Sequence, residues 1–242
     1  MNETVYHKEK IAAEGFSVVD DVYTEKETET ILQAIAEADI SGPSFRRSED
    51  LFAIRQFLKE VPGAYDLLFT ARLRALIAQL IGKGYFVVKS IYFDKPAGSN
   101  WFVSYHQDLT ISVDRKVEAD GFGLWTIKQG WFAVQPPLPI LESNYTIRIH
   151  LDDTDEANGA LKVIPASHRK GVYRPETIGR AIETEAVCRV KRGGVMIMKP
   201  LLLHSSGRTT NDNKRRVVHI EFSRHALPDG LQWAELMDEK IM

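Results

Sequence analysis

The sequence predicts an α+β, mainly β chain in which N-terminal helices pack on one side of a double-stranded β-helix, or jelly roll. Three observations carry this. Helical periodicity is confined to the first 84 residues, short extended runs rich in Val, Ile, Tyr and Phe follow, and the strand-helix alternation of doubly wound folds is missing.

Thr24-Glu25-Lys26-Glu27 is a capping box, and Ile31, Leu32, Ile35 and Ala36 repeat behind it at helical spacing, which predicts a helix over 25–38. A second helical zone spans 62–81, with Leu67, Leu68, Leu73, Ile77 and Leu80 as its apolar face and Gly82 and Gly84 as stop signals. Strands are expected over 85–93, 101–108, 145–152, 160–164, 195–199 and 215–223, separated by Gly, Pro, Asn and Asp clusters. The chain then reads as one domain, 1–242, with a helical support region (1–84), a jelly-roll core (85–225) and a C-terminal segment (226–242). Residues 109–143, which hold Trp125, Trp131 and Pro136-Pro137-Leu138-Pro139, are too long for an ordinary connection and are expected to act as a lid or binding segment.

Of 242 residues 44% are hydrophobic and 26% charged, enough to bury about three-quarters of the surface of the unfolded chain and to enclose a cavity. Lys and Arg total 31 against 33 Asp and Glu, so the net charge of −2 excludes a mainly electrostatic binder of nucleic acid or membrane and leaves a small molecule as the expected partner. Cys188 is the one cysteine, so any metal must sit on His and carboxylates. No run of about 18 apolar residues could span a bilayer, and a cytoplasmic location is the expectation. Oligomeric state is not legible.

Seven histidines, His7, His106, His150, His168, His204, His219 and His225, must be sorted. A carboxylate two residues from a His on a strand shares its face, so His-x-Asp or His-x-Glu can set two metal ligands side by side. Three pairs qualify: His106/Asp108, His150/Asp152 and His219/Glu221. Spacing alone does not choose among them. The second runs into the acidic turn at 153–159, where Asp152 should leave the sheet; the third follows Arg215 and Val217 down one strand face and could line a cavity without binding metal. One such pair plus a remote His gives the two-His-one-carboxylate facial set, which leaves positions open on iron(II). His204, with Ser206 close by and Arg215 eleven positions on, suits that remote role, because an arginine fork and a hydroxyl can hold the far carboxylate of an iron-bound 2-oxo acid.

Asp94-Lys95-Pro96, Trp101 with Tyr105-His106-Gln107-Asp108-Leu109, Leu151-Asp152-Asp153 to Asn158-Gly159-Ala160-Leu161, Ile164-Pro165-Ala166-Ser167-His168, and His204-Ser205-Ser206-Gly207 with Arg215 together resemble the phytanoyl-CoA dioxygenase (PhyH) family over roughly residues 85–225. The resemblance implies a cupin-like jelly roll and a dioxygenase that uses iron(II), 2-oxoglutarate and O2, hydroxylating a small molecule and releasing succinate and carbon dioxide. It selects His106, Asp108 and His204 as metal ligands and catalytic centre, and Arg215 with Ser206 as the 2-oxoglutarate anchor. Arg148, Ile91 and Arg55 fall where relatives touch 2-oxoglutarate, although the founding enzyme is aromatic at the position of Arg148; Thr146 shares that strand face. His168 is expected to be structural, and Asp108 favours hydroxylation over the halogenation of relatives that lack the carboxylate. Trp101, Tyr105, Trp125 and Trp131 are candidates for the substrate pocket. The residues also leave open a silent jelly-roll protein that binds a metabolite, and a zinc or manganese hydrolase or isomerase, which would have no use for Arg215.

Overall fold

The computed structural model describes residues 2–39, 41–50, 52–128, 130–177, 179 and 184–241. Helix Glu25–Glu37 starts where the capping box sets it: Thr24 Oγ1 accepts from Glu27 N at 3.2 Å, and the Glu27 carboxylate accepts from Thr24 N at 2.7 Å. Its Ile31 and Ile35 are buried. Thr24→Ala should therefore cost about 1 kcal/mol, read as a lower denaturant midpoint at unchanged slope; an unmoved midpoint would deny the cap any role.

The second helical zone is two helices, Ala64–Leu68 and Ala71–Leu80, with a short helix, Phe57–Glu60, ahead of it. Gly63 at φ 72° and a new cap at Thr70, whose hydroxyl accepts from Leu73 N at 3.2 Å, separate the three. A further helix, Glu3–Glu14, was not legible because its only buried residues are His7 and Ile11, too few to make a stripe.

All six expected strands form, over Tyr85–Lys95, Val103–His106, Tyr145–His150, Leu161–Val163, Val195–Met198 and Arg215–Ser223. The first 84 residues also contribute three strands, Phe16–Val19, Phe45–Arg47 and Phe52–Arg55. The major sheet has eight strands in the order 16–19, 195–198, 145–150, 215–223, 85–95, 52–55 and 45–47, with Met237–Ile241 also paired to 85–95. The minor sheet runs 186–188, 161–163, 204–206 and 103–106.

Alternation divides the major sheet into two faces. Ile147, Ile149, Val218, Ile220 and Phe222 point outward and pack with Ile31, Leu68, Leu73 and Ile77 of the helices. Arg148, His150, Arg215, His219 and Glu221 occupy the alternate positions, all buried, and turn toward the minor sheet. The helices thus seal one face so that the other can hold polar groups away from water.

The long connection is not a bare loop. It carries a three-stranded antiparallel sheet (Ile111–Val113, Trp131–Gln135, Gly123–Lys128) and helix Leu138–Ser143, and buries Ile111, Val113, Val134 and Leu141 against Leu231 and Trp233 of the C-terminal segment. Its strands are only three to six residues long, too short for a clear period. Among the described residues no helix is long and apolar enough to cross a membrane.

Candidate metal centre

His106 closes strand Val103–His106, His204 opens strand His204–Ser206, and the two are direct cross-strand partners with ring centroids 4.2 Å apart. Asp108 lies past the strand end, where its N–H donates to Pro200 O at 2.9 Å. That bond brings the carboxylate back between the rings: His106 Nε2 is 3.9 Å from Asp108 Oδ1, and His204 Nε2 is 3.9 Å from Oδ2. The donor atoms of the three residues lie within 4.8 Å of one another.

Each imidazole is held from behind. His106 Nδ1 is 2.9 Å from Ser104 O and His204 Nδ1 is 2.8 Å from Leu202 O. A carbonyl only accepts, so both Nδ1 atoms carry the proton and both Nε2 lone pairs face the common point, the state a metal ligand needs. Asp108 Oδ2 is buried with no hydrogen-bond partner. An orphaned carboxylate oxygen between two imidazole lone pairs fits a divalent cation and very little else.

Burial alone would raise the Asp108 pKa, but His204, His219, Lys89 and His106 around it outweigh this and hold it below the ordinary carboxylate value. Burial drives His204 down to about 4 and His150, near Arg148 and Arg215, well below 6.5. Both folded values are depressed, so the stability they contribute is present above 6.5 and lost as pH falls below it, for His204 over the range down to about 4. The metal-free protein should lose up to about 1.4 kcal/mol per pH unit for each such imidazole in that window. A melting temperature that stays flat from pH 7 to pH 5 in thermal unfolding scans would contradict it.

Arg215 opens strand Arg215–Ser223 and faces the same cavity of about 170 Å³. It is 2% exposed, and its Nε and Nη1 are buried without partners. Burial, and then the charge of Arg148, push its pKa down to about 9, which still leaves it cationic at neutral pH. A triad poised for a metal and an unpaired guanidinium share one cavity.

The family model for phytanoyl-CoA dioxygenase (PhyH) matches residues 11–217. The chain belongs to the PhyH family. It is accordingly an iron(II)- and 2-oxoglutarate-dependent oxygenase. A sequence search of curated proteins gives no match. Among solved structures, this PhyH-family chain is similar to AviO1 from Streptomyces viridochromogenes Tue57 (TM-score 0.66, 18% identity, covering 94% of this chain and 98% of that one). It is also similar to EctD from S. alaskensis with 2-oxoglutarate and 5-hydroxyectoine (0.68, 17%, 92% and 78%). HygX from Streptomyces hygroscopicus with nickel, 2-oxoglutarate and hygromycin B bound is a third (0.64, 17%, 92% and 87%). At such identities the likeness establishes the shared fold.

Of the residues singled out from the PhyH-family sequence, His106, Asp108, His204, Arg215, Ser206, Arg148, Ile91 and Trp101 line one cavity. Ser206 Oγ donates to Gly159 O at 2.9 Å, so its proton is engaged while its lone pairs remain available. Gly159 stands at φ 84°, and a Cβ there would meet Gly207 O at 2.7 Å, so only glycine lets this turn close on Ser206.

Five residues lie elsewhere. Arg55 and Trp131 line a smaller chamber that shares Lys89 and Ile91 with the metal-centre cavity. Tyr105 alternates with His106 and so points to the other side of the minor sheet, where its hydroxyl bonds Glu185. Trp125 packs on the cluster of Ile111 and Val134. Thr146 is buried beside Glu221 in register, one residue pair beyond the Arg148 and His219 row, and does not reach the cavity. Tyr105's direction follows from strand alternation, whereas the placement of Arg55, Trp131 and Trp125 depends on which strands pair, which spacing does not give.

Lys89 and Phe93 join the cavity without having been assigned to it, and His219 lines it as its strand face allowed. Lys89 and Phe93 share strand parity with Ile91, and that period-two signal could have found them. The other two carboxylate pairs find different partners. Asp152 is bound by Arg216, with Nε 2.8 Å from Oδ2. Glu221 Oε1 takes Lys89 Nζ at 2.6 Å and His219 Nε2 at 3.1 Å. His168 lies against Gly15, where a Cβ would come within 2.5 Å of its Nδ1, and does not line the metal-centre cavity.

Proposed function

We propose that this oxygenase hydroxylates a small organic molecule at a metal held by His106, Asp108 and His204, with Arg215 anchoring the distal carboxylate of 2-oxoglutarate. The unpaired, buried Arg215 carries this reading. A guanidinium shut away from water with two free nitrogens is stable only when an anion completes it, and a dicarboxylate reaching over from the metal supplies one. A zinc or manganese hydrolase or isomerase would have no call for that group. Ser206 lines the same cavity with its proton on Gly159 O, and turning that proton to the carboxylate would add a second donor beside Arg215.

Iron(II) with 2-oxoglutarate and O2 supplies the oxidising chemistry, succinate and carbon dioxide being the by-products. The residues supply position and dryness. The locked Nδ1–H bonds fix both imidazoles, and the Asp108 carboxylate leaves one face of the centre free. Phe93 stacks on Trp101 at 6.3 Å and sits edge-on to His219 at 6.3 Å, walling the cavity with rings that exclude water. We place this chemistry in the cytoplasm.

Anaerobic titration of iron(II) and then 2-oxoglutarate should develop the weak visible metal-to-ligand charge-transfer band of a chelated 2-oxo acid. Fully loaded iron with no band would sink the oxygenase reading. Once a substrate is in hand, a product that has gained one oxygen atom separates hydroxylation from the ring closure or epimerisation performed by proteins of similar fold such as SnoK and SnoN.

A further inference from the structure

The charges that wall the metal cavity do not balance. Three cations, Lys89, Arg148 and Arg215, meet two carboxylates, Asp108 and the Glu221 that bonds Lys89, and one positive charge is left over. Loading the site, on the oxygenase reading above, adds nothing net: the two charges of iron(II) cancel those of the 2-oxoglutarate dianion. Lys89 is satisfied by Glu221 at 2.6 Å. Arg215 takes the distal carboxylate, and the metal faces Asp108 and the other one. Arg148 is the residue left without an anion.

Arg148 sits mid-strand between Met196 and His219 in register and is 7% exposed. Its one hydrogen bond among the described residues joins Nη1 to His219 Nδ1 at 3.1 Å, and its Nε is buried with no partner. Glu221 holds the far nitrogen of that imidazole, so His219 is fixed and offers Arg148 a lone pair but no charge. With Nη1 engaged, the Nε edge of the guanidinium stays free, and that edge binds a carboxylate through two parallel bonds. A desolvated, unpaired cation is too costly to be idle.

We propose that Arg148 recognises the substrate, a small organic acid whose carboxylate seats on the Nε edge of Arg148 while its reacting carbon faces the His106, Asp108 and His204 centre. Phe93, Val103 and Leu161 supply apolar wall for the carbon skeleton. The cavity, about 170 Å³, is shared with 2-oxoglutarate, so the part of the acid that enters it is compact.

Acetate is the smallest probe of this site, and acetamide is its neutral counterpart. In the anaerobic iron(II) and 2-oxoglutarate complex, acetate should raise the melting temperature saturably and acetamide should not. Arg148→Gln should need about 10- to 100-fold more acetate, with unchanged 2-oxoglutarate dependence of the visible band, which also shows that the variant is folded. Arg148→Lys, which keeps the charge without the fork, should fall between. Three results overturn the proposal: no saturable acetate effect in the wild type, the same acetate response in Arg148→Gln, or a loss of 2-oxoglutarate affinity in Arg148→Gln, which would give Arg148 to the co-substrate. Absence of the band in the wild type is a separate outcome and removes the oxygenase reading itself.

Discussion

Arg215→Met should raise the concentration of 2-oxoglutarate needed for turnover by at least about 30-fold, the effect of removing one partner of a buried charge pair. The same change should make the ligand-free protein harder to melt. In the absence of an anion the guanidinium is 2% exposed with Nε and Nη1 unsatisfied, a state in which burial works against its charge. Methionine of similar length fills the space without that cost, and a gain of about 1 kcal/mol or more corresponds to about 2–4 °C in a protein of this size. Two opposite signs from one substitution are a demanding test. The two measurements are a 2-oxoglutarate titration of succinate formation and a melting scan with and without 2-oxoglutarate. An Arg215→Met protein that melts lower than the wild type without ligand, or that binds 2-oxoglutarate normally, would show that the guanidinium is structural.

His204→Ala should abolish turnover by a different route. Loss of a group that only orients a ligand weakens metal binding by about 10- to 100-fold, and loss of a ligand itself should cost more. Two Nε2 lone pairs and the Asp108 carboxylate converge on one point, and His204 supplies the one that is 5% exposed and best shielded from competing water. Iron(II) titration followed anaerobically should therefore show no stoichiometric binding in His204→Ala, whereas Arg215→Met should bind iron like the wild type and fail only at the 2-oxoglutarate step. If His204→Ala still bound iron tightly, the metal would have to rest on other residues, and the facial triad would be the wrong assignment.

The two variants also separate what could be read in the chain from what could not. By itself the sequence determined the chemistry of the centre. Spacing left three His-x-carboxylate pairs open, and the family resemblance chose His106 and Asp108 with His204 and the anchoring cation Arg215. The helix at 25–37, the helical zone before residue 82, the six core strands and the capping box were legible because each depends on near neighbours whose periodicity survives in one dimension. Only the tertiary structure decided which side chains share the cavity. Arg55 and Trp131 open onto a neighbouring chamber that Lys89 and Ile91 also line, and Arg148 comes to face the metal-centre cavity with its Nε unpaired. These outcomes depend on the strand order and register that bring distant segments side by side. The local spacing that names a metal ligand has no term for which distant charge will be left without a partner.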